Sequence, residues 1–104
     1  MKNFLNISDF TSKDLRKILD DAKIRKNKRS GLNKSSIDED EPMKGKTLIM
    51  IFEKPSTRTR ISFNIAVKQL GGSSITLNPD GSHYGKGDET LKDTAKVLSQ
   101  YGDL

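Results

Sequence analysis

Ser56, Thr57, Arg58 and Thr59 set hydroxyls and a guanidinium side by side, and Arg60 adds a second guanidinium at once. Such residues, with no acid among them, suit one chemistry above others: holding an oxyanion. Hydroxyls donate to anionic oxygens, and arginine adds a planar, permanently charged fork that matches a phosphate edge. The row also sits in a telling place. It follows an apolar run, residues 47–52, whose β-branched and aromatic content reads as a buried strand. It leads into residues 60–70, which can continue as a helix and stop at Gly71-Gly72, a common C-terminal signal. A strand that turns through hydroxyls into a helix brings free backbone N–H groups and the positive helix end to one point.

A plain helix cap would use the same residue types, but a cap needs one hydroxyl and this row has more. The spacing of a Walker loop is absent, and no Gly-x-Gly-x-x-Gly follows a strand, so nucleotide sites find no support. Arg60 lies two residues beyond Arg58, which on a helix turns the two side chains apart. The expectation is that Arg58 faces the ligand and Arg60 sits in a structural ion pair. His83, the single histidine, lies in a Gly/Ser-rich loop without a second histidine or a carboxylate cluster. Taken by itself it reads as an exposed loop residue, as does Lys86. Asp93 and Thr94 read as packing and hydrogen-bonding residues of a late helix.

The elements that would position this row follow from pattern. Leu15, Ile18, Leu19 and Ala22 recur at helical spacing over about residues 12–26, with Thr11 and Asp14 spaced as a capping box and basic residues at the far end. Residues 27–45 carry almost no apolar side chains and read as an exposed loop. Strand 46–52, helix 60–70, a short strand at Ser73–Leu77 and a helix over about 89–101 follow, the last with Leu91, Ala95 and Leu98 on one face. Asn78-Pro79-Asp80-Gly81 is turn chemistry. This alternation implies a parallel sheet, hence an α/β fold. A further strand is expected after residue 104, so the sheet is expected to be left with two strands and an unpaired edge.

Of the 104 residues, 32% are hydrophobic and 32% charged, which permits only a thin core. No cysteine is present, so disulfides and thiolate metal sites are excluded. Neither a signal peptide nor a membrane-spanning run appears, and a cytoplasmic location is the default. The net charge of +5 and the basic residues between Lys23 and Lys34 raise nucleic-acid binding. Asp38, Glu39, Asp40 and Glu41 follow at once and no aromatic residues are interleaved, so a solvated helix end is the better reading.

The ordered set of motifs resembles a known family. Ser-Thr-Arg-Thr-Arg at 56–60 after a strand, Ser62-Phe63 and Leu70-Gly71-Gly72 are similar to the carbamoyl-phosphate-binding domain of the aspartate/ornithine carbamoyltransferases. The opening residues 4–9, the lead-in Lys44-Gly45-Lys46-Thr47-Leu48 and residues 93–99 of the late helix extend the likeness across nearly the whole chain. Phe52-Glu53-Lys54 resembles the ornithine branch. The loop at 85–91 is spaced more like the aspartate branch, whose catalytic lysine would fall on Gly87. Ornithine is the favoured acceptor.

The resemblance implies a three-layer, Rossmann-like parallel-sheet domain, incomplete at its C-terminal end, with 1–104 a partial carbamoyl-phosphate domain and the amino-acid-binding domain absent. It implies that Ser56, Thr57, Arg58 and Thr59 hold the phosphate of carbamoyl phosphate. Arg58 would act catalytically by neutralising charge on the leaving phosphate, and Thr59 would approach the carbamoyl oxygen. His83 would reach a neighbouring subunit's substrate, where glutamine is common. The implied reaction is attack by ornithine's uncharged side-chain amine on the carbamoyl carbon, giving citrulline and phosphate through a tetrahedral intermediate. It needs neither metal nor organic cofactor. A homotrimer is the implied assembly. The family's second arginine, its His-Pro-x-Gln segment and its amino-acid domain would lie beyond residue 104, so the chain is expected to be inert alone. An aspartate carbamoyltransferase piece and a non-catalytic phosphate-binding module are the alternatives.

Overall fold

The computed structural model describes residues 3–77 and 91–104, which divide into two units at Leu32. The first unit opens with a 3-10 turn, Ile7–Asp9, beside a stacked Phe4–Phe10 pair whose ring centroids lie 4.5 Å apart. Helix α1, Ser12–Lys28, carries the expected capping box: Asp14 N–H donates to Thr11 Oγ1 at 3.0 Å, and Thr11 N–H donates to Asp14 Oδ2 at 3.1 Å. Arg25, Lys26 and Lys28 fill its last turn, where cations meet the negative helix end. Within this unit the apolar stripe stays largely uncovered: no residue of α1 is buried, and Leu15 alone of the stripe is half-buried.

The second unit holds strand β1 (Thr47–Ile51), helix α2 (Thr57–Gln69), strand β2 (Ser73–Leu77) and helix α3 (Leu91–Leu98). β1 and β2 pair in parallel, with Thr47 opposite Ser73 and Ile51 opposite Leu77. Side chains alternate across a sheet. Ser74 Oγ donates to Asn64 Oδ1 of α2 at 3.3 Å, so the face carrying Leu48, Met50, Ser74 and Thr76 is the one α2 covers. The core lies there: Met50 and Val67, 5% and 6% exposed, are the buried apolar residues among those described. On the opposite face Gly102 packs so closely on Ile49 that a Cβ there would fall 2.7 Å from Cδ1.

Several expectations need correction. Strand β1 is not buried as a whole: Met50 is, the rest is partly covered, and Ile51 is exposed. Helix α2 begins at Thr57 rather than 60, because a Thr-Arg-Thr first turn adopts helical geometry without difficulty. On α3 the buried position belongs to Thr94, while Ala95 is exposed and Leu98 only partly covered. Residues 27–45 are largely exposed as expected, but Lys28 and the residue before it still belong to α1, and residues 33–45 are a series of turns fastened to the end of α2. Asp38 N–H donates to Gln69 O at 2.7 Å, Met43 N–H to Leu70 O at 2.8 Å, and Gln69 Nε2 to Lys34 O at 2.7 Å.

The edge of β1 away from β2 is also occupied. Leu104 N–H donates to Thr47 O at 3.3 Å and Ile49 N–H to Leu104 O at 2.9 Å, the pattern of a parallel ladder pairing Leu48 with Leu104. Thr47 N–H donates to Asp103 Oδ2 at 2.9 Å. β1 therefore has a neighbour on each side along its first half, while the sheet among the described residues has the two strands expected from the sequence. Among the described residues no helix is long and apolar enough to cross a membrane.

Candidate anion site

The turn from β1 into α2 exposes the helix start. Ser56 is the N-cap residue, half-buried, with φ −107° and ψ 64°. An N-cap ordinarily holds an extended ψ that lets its side chain fold back over the first turn. Ser56 lacks that geometry, and its hydroxyl makes no capping bond. The first helical bond runs from Arg60 N–H to Ser56 O at 2.8 Å. The N–H groups of Thr57, Arg58 and Thr59 therefore have no acceptor among the described residues. They are the orphan donors every α-helix leaves at its start.

Charge sharpens the picture. The first turn of α2 contains no acid, and instead carries Arg58 and Arg60. Cations at a helix N-terminus are unfavourable by about 0.3–1 kcal/mol each. Arg58 is exposed and has no ionic partner among the described residues. An oxyanion seated here would meet the orphan N–H groups, the hydroxyls and a guanidinium together, and would reverse the unfavourable field.

The structure does not keep the five residues on one face. Thr57 and Arg60, three apart, line a cavity of about 260 Å3 together with Ile61, Asn64 and Thr76. Arg58 and Thr59 are not among the residues that line it. The ion pair expected for Arg60 is not formed with any described residue. Composition around the Ser-Thr-Arg-Thr-Arg row did not point to Asn64 and Thr76. The available signal was the spacing of Asn64, one helical turn beyond Arg60, where an acid would have paired with it. His83 and Lys86 lie outside the described residues.

Comparisons with known proteins identify the family of the chain. Residues 2–104 match the family model "Aspartate/ornithine carbamoyltransferase, carbamoyl-P binding domain". An ornithine carbamoyltransferase of Rhizorhabdus wittichii is 48% identical over 102 residues, covering 98% of this chain and 33% of that protein. One from Cereibacter sphaeroides is 45% identical over 104 residues, covering 100% of this chain and 33% of the relative. In three dimensions the ornithine carbamoyltransferase of Pyrococcus furiosus superposes with a TM-score of 0.80 at 40% identity, covering 94% of this chain and 29% of that one. The catalytic subunit of M. jannaschii aspartate transcarbamoylase gives 0.77 at 32% identity, covering 99% of this chain and 33% of that one. The chain thus spans about a third of the length of the relatives it matches. With the strand-to-helix turn, the arginine-rich first turn and a family match that runs nearly end to end, the chain belongs to the aspartate/ornithine carbamoyltransferase family, as its carbamoyl-phosphate-binding part.

Proposed function

We propose that this chain is the carbamoyl-phosphate-binding part of an ornithine carbamoyltransferase, with the phosphate seated on the open first turn of α2. The observation that carries the reading is that turn itself: orphan N–H groups from Thr57 to Thr59, a Ser56 hydroxyl free of capping duty, and Arg58 without an acid beside it. Arg58 donates to the phosphate oxygens and offsets the charge that grows on them as the carbamoyl–oxygen bond breaks. Thr59 supplies a hydroxyl toward the carbamoyl oxygen. Ornithine's neutral amine attacks the carbamoyl carbon to give a tetrahedral intermediate, the carbamoyl–oxygen bond breaks, the nitrogen's extra proton passes to the departing phosphate, and citrulline and phosphate leave.

Ornithine rather than aspartate is supported by the Glu53-Lys54 approach to the serine and by the names of the relatives at 45–48% identity. His83 as a substrate contact from a neighbouring subunit, a homotrimeric assembly and a cytoplasmic location belong to the same proposal. The chain spans about a third of the length of its relatives, and by itself it is proposed to bind carbamoyl phosphate without turning it over. Titration calorimetry on the folded chain tests this, with ornithine and aspartate as parallel arms. Saturable heat with carbamoyl phosphate and none with either amino acid is the expected result. Absence of heat with carbamoyl phosphate, while circular dichroism reports a folded chain, contradicts it.

A further inference from the structure

We propose that the cavity between α2 and β2 is a second oxyanion subsite, adjoining the first turn at Thr57 but centred on the Arg60 guanidinium. Arg60 is half-buried there, and neither a described acid nor a described hydrogen-bond acceptor meets its guanidinium. Burying part of a charge without a partner is costly, and an anion in the cavity would remove that cost.

The other lining groups are donors as well. Ser74 Oγ donates to Asn64 Oδ1 at 3.3 Å, which turns the amide so that its N–H2 group remains available. Thr57 and Thr76 contribute hydroxyls with no partner among the described residues. No carboxylate lines the space among those residues, and the position one turn past Arg60, ideal for a neutralising acid, is Asn64. The volume of about 260 Å3 falls below the range of about 300–1,000 Å3 that drug-sized ligands occupy, so a small oxyanion of phosphate size fits the chemistry and the space. This subsite does not depend on carbamoyl phosphate being the ligand of the first turn.

The test is a titration of the full chain with inorganic phosphate, followed by the NMR signals of the Asn64 side-chain amide and Arg60 Nε–H. Both signals are expected to shift saturably, and to do so equally in Arg58→Gln, which removes a guanidinium that does not line this cavity. Arg60→Gln should weaken the Asn64 response, and Asn64→Glu the Arg60 Nε–H response, by roughly tenfold or more, since each removes a charge-assisted donor or fills its place. Asn64→Glu keeps the helix and pairs Arg60 internally, so it serves should Arg60→Gln fail to fold. Signals that stay fixed in the parent chain overturn the proposal. So does a response lost in Arg58→Gln and retained in Arg60→Gln or Asn64→Glu, which would mean a single site at the first turn.

Discussion

Helices α1 and α2 both begin with a hydroxyl residue at the N-cap, yet the two starts are built for opposite ends. At α1, Thr11 sits at ψ 160°, its side chain accepts from Asp14 N–H, and Asp14 answers with its carboxylate. The orphan donors are partly satisfied from within, and the acid in the first turn suits the positive helix end. At α2, Ser56 sits at ψ 64°, makes no capping bond, and introduces a first turn with two arginines and no acid. A start that satisfies itself is structural. One left unsatisfied, with cations placed where the helix field disfavours them, is a site waiting for an anion.

The far end of α2 rules out general looseness as the explanation. Gly72 N–H donates to Val67 O at 2.9 Å and Gly71 N–H to Lys68 O at 3.1 Å, a complete Schellman motif with Gly71 at φ +89°. The loop then supplies Asp38 and Met43 N–H groups to the next two carbonyls, Gln69 and Leu70. The same helix is closed at one end and open at the other.

Substitutions can break this contrast at several points. The largest effect is expected from Arg58→Gln, which should lower affinity for carbamoyl phosphate about 10–100-fold, the worth of a charge-assisted bond. Calorimetry reads that loss, and the thermal midpoint should not fall, because a misplaced cation has been removed from the helix start. Gly71→Ala should destabilise the second unit by about 1–2 kcal/mol, the penalty of a left-handed residue with a Cβ, aggravated by Glu41 Cβ at 3.0 Å. Urea denaturation followed by circular dichroism measures it.

The paired substitution is sharper. Thr11→Ala should cost α1 about 1 kcal/mol through its lost cap, seen as faster hydrogen exchange of α1 amides, and leave phosphate affinity unchanged. Ser56→Ala should do the reverse, with little change in α2 exchange and a loss of affinity of about 0.5–1.5 kcal/mol. The smallest effect is expected from Thr59→Glu. An acid in the open first turn should add about 0.3–1 kcal/mol of stability and lower anion affinity by a comparable amount, read by melting in the presence and absence of phosphate.

Much of this was legible in the residues, and the failures have physical causes. The α1 cap, the Gly71-Gly72 stop and the Ser73–Leu77 strand rest on local chemistry, which a sequence displays. Where α2 starts was missed by three residues, because hydroxyls fit a first turn as well as a preceding loop. The loop's attachment to Gln69 and Leu70 was invisible because it uses backbone groups, which every residue possesses. The burial of Thr94 in place of Ala95 depends on how α3 lies in its surroundings, and helical spacing does not report that. Within the site, the row of donors was readable as chemistry. Its division between the first turn and the Arg60 cavity required the partner strand, since Thr76 comes from β2.

The central claim is that the start of α2 is open because an anion completes it. The most direct measurement follows backbone amide shifts of Thr57, Arg58 and Thr59 during titration with carbamoyl phosphate, with Lys13 and Asp14 of α1 as internal controls. A saturable shift at the three α2 amides with the α1 pair unmoved is the result this account predicts. Equal movement at both helix starts, or none at α2 at concentrations that saturate the calorimetric signal, would contradict it.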